Sequence, residues 1–206
     1  FQLTGVGSYL GGVGWGYSRS CLVTEADGVS KHLFVYRDGD ATGPDPMNLV
    51  PESWPDEDWP GNKLPWANTL DGSRWMQYRN SWYWGPHQYQ QINPNFRASN
   101  GDLSLLVAAD FTFARLRHWH HRNDPLRWYY QEVSSTLSME RAPSPDGINP
   151  GVSFWYDHVG KWQDWPEWEG TFSPQPSLIA CVMTNGTAWG ILYTRNDLGQ
   201  ITQQVE

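Results

Sequence analysis

No run of about 18 apolar residues occurs anywhere in the chain, so no membrane-spanning helix is expected. Charge is scarce: only 17% of residues are Asp, Glu, Lys or Arg, and 14 basic residues face 22 acidic ones. The resulting net charge of −8 would repel a phosphate backbone, so nucleic acid is not an expected partner. No stretch carries sustained helical periodicity with capping residues, which argues against a helical protein. The Gly-x-Ser-x-Gly elbow, the phosphate loop and the dinucleotide fingerprint are all missing, and no cofactor is expected. The chain also lacks an initiator Met and a basic leader, opening instead on Phe1-Gln2-Leu3. It therefore reads as a processed or excised chain.

What is abundant is aromatic. Aromatics make up 15% of the 206 residues, with fourteen Trp, and this argues against disorder despite a mean hydropathy of −0.62. Twenty Gly and fifteen Pro suit a turn-rich all-β protein. A short phrase recurs: an aromatic strand end, an arginine, then an Asn or Asp turn. It reads Tyr36-Arg37-Asp38, Tyr78-Arg79-Asn80, His121-Arg122-Asn123 and Thr194-Arg195-Asn196. The four arginines are 42, 43 and 73 residues apart. Midway along the longest gap, Trp155-Tyr156-Asp157-His158 is a degenerate copy with His158 in the arginine position.

Periods of this size mark repeat architectures. The clearest unit has three predicted strands: Leu103 to Ala109, a second inside Phe111 to His121, and Leu126 to Glu132. The last unit copies the order with Leu178 to Met183, Thr187 to Thr194 and Gly199 to Val205. The first offers Ser20 to Thr24 and Lys31 to Tyr36 around a turn at Asp27-Gly28. Three or four short antiparallel strands per ~40 residues is the size of a propeller blade. The chain is accordingly expected to be one all-β domain over residues 1–206, a five-bladed β-propeller with hairpins near Arg37, Arg79, Arg122, His158 and Arg195. Three larger units in a β-trefoil-like barrel are the alternative. The acidic, Trp-rich stretch from Asp40 to Lys63 reads as an insertion.

The segment Gly101 to Val107 followed by Ala114 to Asp124 resembles a repeat of secreted bacterial and fungal proteins: an apolar strand, a Leu-x-x-Tyr/Trp-x-Arg-Asn/Asp hairpin, then a Trp-bearing strand. Its layout is similar to the blades of fungal fucose-binding lectins and five-bladed tachylectin-type lectins. That resemblance implies a β-propeller binding sugars at blade junctions. It covers about half of the chain. Since the fourth unit has His158 in place of arginine, fewer than five sites are expected.

Aromatic faces stack on the C–H faces of sugars at low ordering cost. Trp82 and Trp84, alternating after the second hairpin, and Trp128, Trp162 and Trp165, after the third and fourth, are the candidate platforms. Most of the fourteen Trp are expected to be packing residues. Arg37, Arg79, Arg122 and Arg195, with Asn123 and Asn196, are candidate hydrogen-bonding partners for sugar hydroxyls. A salt bridge, or a hydrogen bond to the turn carbonyls, is the competing role for each arginine. His118, His120 and His121 do not make a metal site, because spacing supplies no further ligand. The acidic run Asp56 to Asp58 reads as a solvated loop.

Cys21 and Cys181 lie in apolar strands of the first and last units, which a closed ring would bring together. A disulfide there would close a loop of ~160 residues; two buried free thiols are the equal alternative. Asn185-Gly186-Thr187 is a glycosylation sequon that fits secretion. The expected function is non-catalytic carbohydrate binding by a secreted lectin-like protein, with glycans or glycoconjugates as partners. The alternatives are a propeller-type glycoside hydrolase using a carboxylate pair, for which no spacing singles one out, and a protein-interaction scaffold or secreted effector.

Overall fold

A computed structural model of the chain describes residues 2–4, 8–10, 17–37, 80–99, 101–123, 131–158 and 175–206, with backbone alone for 2–4, 8–10, 17–19, 37, 120–123 and 131–135. The architecture is all-β. The strands are β1 (Gln2–Thr4), β2 (Ser8–Leu10), β3 (Tyr17–Thr24), β4 (Lys31–Arg37), β5 (Asn80–Trp84), β6 (Arg115–Asn123) and β7 (Gln131–Arg141). They continue with β8 (Ser153–Asp157), β9 (Leu178–Val182), β10 (Ala188–Arg195) and β11 (Ile201–Val205). Their hydrogen-bonded order follows the chain, β1-β3-β4-β5-β6-β7-β8-β9-β10-β11, with β2 on β3, and every ladder whose register is described is antiparallel. Among the described strands this order does not close on itself.

Two compact units divide the chain. One takes residues 1–50, 77–117 and 141–151, the other 51–76, 118–140 and 152–206. Each draws on three separate stretches, so no single linker separates them.

In the first unit, β4 and β5 alternate with the strand period of two. Leu33 and Val35 of β4 pair with Trp84 and Trp82 of β5, and all four are buried. Behind them lie α1 (Pro86–Gln91), α2 (Pro94–Ala98), a 3-10 turn (Leu103–Leu105) and α3 (Ala108–Thr112). Phe111 of α3 meets both Trp82 and Trp84 edge-on, at 4.9 and 5.4 Å between ring centroids. The Trp84 indole N–H donates to the Asp110 carbonyl at 2.8 Å. Asp110 is buried, and its carboxylate accepts the backbone N–H of Asn93 at 2.7 Å and of Val107 at 2.8 Å.

These helices correct the strand expected over Leu103 to Ala109. They are five or six residues long, too short for a 3.6-residue period to stand out. Local chemistry starts them instead: Pro86 and Pro94 stand in the first turns, where a missing N–H costs nothing. The Asn93 side chain caps α2, and the Asp102 carboxylate accepts the Ser104 amide at the head of the 3-10 turn.

In the second unit, β8 to β11 form a meander whose buried face carries Trp155, Asp157, Leu178 and Ala180. His158 is also buried, and its Nε2 lies 3.1 Å from the Leu137 carbonyl oxygen.

Hairpin turns in both units share one device. Asp27 accepts the amides of Val29 and Ser30 and the Ser30 hydroxyl, with Gly28 following at φ +71°. The Ser30 hydroxyl, and then those amides, hold the Asp27 carboxyl below its usual range. Asn196 accepts the amides of Leu198 and Gln200, with Gly199 at φ +77°. Both are Asx turns completed by a glycine in the left-handed region.

Candidate functional site

The opposite face of β4 and β5 carries the chemistry. Period-two alternation that sends Leu33 and Val35 inward turns His32, Phe34 and Tyr36 the other way, and Ser81 and Tyr83 with them. Phe34 is directly opposite Tyr83 across the ladder, and Tyr36 opposite Ser81. On the other side, Cys21 and Val23 of β3 flank Phe34 and His32. Phe34 and Tyr83 form a two-ring surface, with centroids 4.7 Å apart and planes tilted by 36°. Phe34 is 44% exposed, a high value for a large aromatic in mid-strand.

Polar groups border this surface. The His32 ring lies nearly parallel to that of Tyr83, at 6.1 Å and 19°. Its Nδ1 is 2.9 Å from the Tyr83 hydroxyl, and its Nε2 is 2.6 Å from a Glu25 carboxylate oxygen. An ionised carboxylate only accepts, so in neutral His32 Nε2 carries the proton and Nδ1 accepts from the Tyr83 hydroxyl. The Glu25 side chain is 43% exposed and His32 23%, leaving the carboxylate open to a ligand. The Arg115 guanidinium sits over the Tyr83 ring, 5.2 Å from its centroid. A side chain at Gly85 would crowd this corner: a Cβ there would lie 3.0 Å from the Gln88 side-chain oxygen and 3.4 Å from the Tyr83 hydroxyl. The site thus combines an exposed aromatic face, an oriented hydroxyl, a carboxylate and a guanidinium, all within the first unit.

Of the binding residues expected from sequence, the four whose side chains are described, Trp82, Trp84, Arg195 and Asn196, fall elsewhere. Trp82 and Trp84 do alternate on one face, but it is the core face, at 1% and 0% exposure. A ring with both sides packed cannot stack on a ligand, so neither is a platform. Arg195 donates to the Gly199 carbonyl at 3.0 Å and the Pro176 carbonyl at 3.3 Å, with its guanidinium over the Tyr193 ring. Asn196 organises the same turn and bonds the Gln200 side chain. This pair locks a hairpin, the competing role considered for the arginines. Arg37, Arg122 and Asn123 lie on strands with their side chains outside the described residues, as do Arg79, Trp128, Trp162 and Trp165 entirely.

Cys21 and Cys181 are both free thiols. Cys21 faces Phe34 of β4, and Cys181 sits between Phe154 of β8 and Trp189 of β10. Burial pushes the Cys181 thiol up, away from nucleophilic character. Asn185 is exposed, and its side-chain oxygen accepts the amide and hydroxyl of Thr187. The nitrogen that a glycan would occupy takes no part in that turn. His118 is buried, and among the described residues no helix is long and apolar enough to cross a membrane.

Sequence reasoning missed Glu25, His32, Phe34, Tyr83 and Arg115. One signal was available: His32-x-Phe34-x-Tyr36 interleaved with Leu33-x-Val35 is a strand with two different faces. The pairing of Phe34 with Tyr83 spans 49 residues, and no local pattern announces it. No family model, curated protein or solved structure matches the chain.

Proposed function

We propose that this chain is a non-catalytic carbohydrate-binding protein whose site is the outer face of β4 and β5. The observation that carries the reading is the Phe34–Tyr83 surface bordered by the Glu25–His32 pair. A pyranose ring has an apolar C–H face and a polar rim. Phe34 would take the face, while the Glu25 carboxylate would accept from one or two hydroxyls of the rim. Tyr83 is held from behind by His32 and covered by Arg115, so little side-chain freedom is left to lose on binding. On this reading the protein acts outside the cell, where the exposed Asn185 sequon could be used. The five-bladed propeller is the finer form of the all-β fold on this reading, and the recurring phrase counts its hairpins. Weak single-site binding raised by multivalent display is the expected mode.

The test is a glycan array followed by titration of aromatic fluorescence with the sugars that score. Phe34→Ala is expected to weaken the response at least about tenfold while lowering the melting temperature by no more than a few degrees. Failure of the intact protein to bind any glycan would reject the reading.

A second reading rests on the carboxylate–imidazole–hydroxyl chain itself. A hydroxyl hydrogen-bonded to an imidazole that is oriented by a carboxylate is the arrangement of an activated nucleophile. It predicts glycoside or ester turnover lost in Tyr83→Phe. The Asp110 carboxylate accepts two backbone amides, so it would not be one of the pair that a paired-carboxylate hydrolase needs.

A further inference from the structure

An open apolar surface lies beside the hairpin that joins β9 to β10, within the second unit. Met183 is 41% exposed and Trp189 47%. Single exposed apolar residues are ordinary, but these two share a sheet face. Cys181 of β9 pairs with Trp189 of β10 on one side and with Phe154 of β8 on the other. Opposed residues of an antiparallel ladder point to the same side. Met183 is on that side too, since its Sδ lies 3.8 Å from the Cys181 Sγ. Phe154 meets Trp189 edge-on, with ring centroids 6.4 Å apart, and Cys181 is buried beneath them. The chain's only Asn-x-Ser/Thr triplet, Asn185-Gly186-Thr187, forms the tip of this hairpin. The Met183 amide donates to the Thr187 carbonyl at 2.8 Å, one pair beyond Val182 and Ala188, so Thr187 faces the same side as Met183 and Trp189. The Thr187 hydroxyl donates to Asn185 Oδ1 at 2.7 Å, and its amide donates to the same oxygen at 3.0 Å. These bonds hold the Asn185 carboxamide on the side of the apolar patch. Trp189 follows Thr187 by two strand residues, about 7 Å.

We infer that Asn185 carries an N-linked glycan whose first sugars fold back over Trp189 and Met183, so that the patch is covered by the chain's own modification. The inference takes only the extracellular setting from the reading above. In the attachment step the Asn185 nitrogen bonds to the anomeric carbon of an oligosaccharide carried on a lipid diphosphate. The bond from that carbon to the diphosphate oxygen breaks, the lipid diphosphate leaves with the electron pair, and the nitrogen gives one of its two protons to a base. No residue of this chain supplies that chemistry; the chain supplies the acceptor and the surface. The acceptor is exposed, and the middle residue of its triplet is Gly186 rather than a proline. The surface is an indole, which takes the C–H face of a sugar, beside a thioether that fits an N-acetyl methyl group. Attachment confines the sugars next to the ring, so contacts too weak to hold a free sugar suffice here.

The test compares the full chain secreted by a glycosylating eukaryotic host with the same chain made in a bacterium that does not glycosylate, as wild type and as Trp189→Ala. Intact mass before and after peptide N-glycosidase reads occupancy, which is expected in the wild type and absent in Asn185→Gln. The glycan is expected to raise the wild-type melting temperature by about 2–4 °C, and Trp189→Ala to lose at least about half of that gain. Met183 gives a second readout that needs no substitution. Its conversion to the sulfoxide by dilute peroxide, followed by peptide mass, is expected to slow at least about threefold under the glycan. An unoccupied Asn185, an equal gain in Trp189→Ala, or a Met183 oxidised equally fast with and without the glycan would each overturn the inference. No sugar is added in these measurements. A chain that passed them and bound nothing on the array would lose the binding reading and keep this one.

Discussion

The two faces of β4 and β5 both carry aromatic rings and differ in burial. Inward stand Leu33, Val35, Trp82 and Trp84; outward stand His32, Phe34, Tyr36 and Tyr83. Aromatic content does not separate them, since each side carries at least two aromatic rings. What separates them is cover. The inner rings are closed over by Phe111 and by a loop whose conformation is fixed through the buried Asp110 carboxylate. Among the described residues, the outer rings are bordered by the side chains of His32, Glu25 and Arg115. An aromatic residue on a strand is thus packed away or left open by the element that crosses over it. Here that element is the helical segment between β5 and β6.

Breaking the inner face is expected to have the largest effect. Trp84→Ala removes a fully buried indole and leaves a cavity beside Phe111, at a cost of about 3–5 kcal/mol of unfolding free energy. Urea denaturation followed by far-ultraviolet circular dichroism measures it. Trp84→Phe keeps a ring but strands the Asp110 carbonyl, and is expected to cost about 1–2 kcal/mol more than its lost area alone. Asp110→Ala comes next. The two amides that its carboxylate accepts lose their partner, a cost of about 2 kcal/mol by the same measurement. That variant also tests whether cover makes the difference: loosening this loop should raise amide exchange at Asn93 and Val107 before any change at Phe34.

The inner face was partly legible in the sequence, and the outer one was hidden by the same signal. Trp82 and Trp84 declare their alternation, but period two says only that they share a face. It does not say which face the helices will cover. Those helices were unreadable because each is a turn or two long, started by Pro86, Pro94, Asn93 and Asp102 rather than by an amphipathic stripe. Hairpins such as Thr187 to Val205 were legible almost to the residue, because their ends are marked by Asn196 and Gly199. The site was not, since Glu25 and His32 meet Tyr83 only after a connection of more than forty residues brings β5 beside β4. The arginine phrase was the loudest signal in the chain. In the one copy whose side chain is described it belongs to a turn, where Arg195 bonds carbonyls.

On the outer face the expected effects on stability shrink. Tyr83→Phe deletes the hydroxyl that His32 holds at 2.9 Å and keeps the ring against Phe34. The bond is half-exposed and water replaces it, so the loss is expected to be at most about 1 kcal/mol. Binding should weaken only as far as the freed His32 ring disturbs Glu25. If the hydroxyl instead performed chemistry, turnover would vanish with affinity unchanged, and measuring both separates the two readings.

Phe34→Ala is expected to change stability least and binding most. Close to half of its surface already faces water, so truncation forfeits contact with Tyr83 but opens no cavity. A ring pair on a sheet contributes about 0.5–1 kcal/mol, and a shift of that size or less is expected in the unfolding free energy. Sugar affinity should fall at least tenfold, because the ring is the largest exposed apolar group of the site and Glu25 alone cannot orient a ligand. Phe34→Trp makes the converse test. It enlarges the platform without entering the core, and should bind at least as tightly while reporting the ligand by its own fluorescence. A Phe34→Ala protein that bound sugar normally would place the site elsewhere. One that unfolded as Trp84→Ala does would mean that the outer face has a cover of its own, and the contrast between the two faces would then fail.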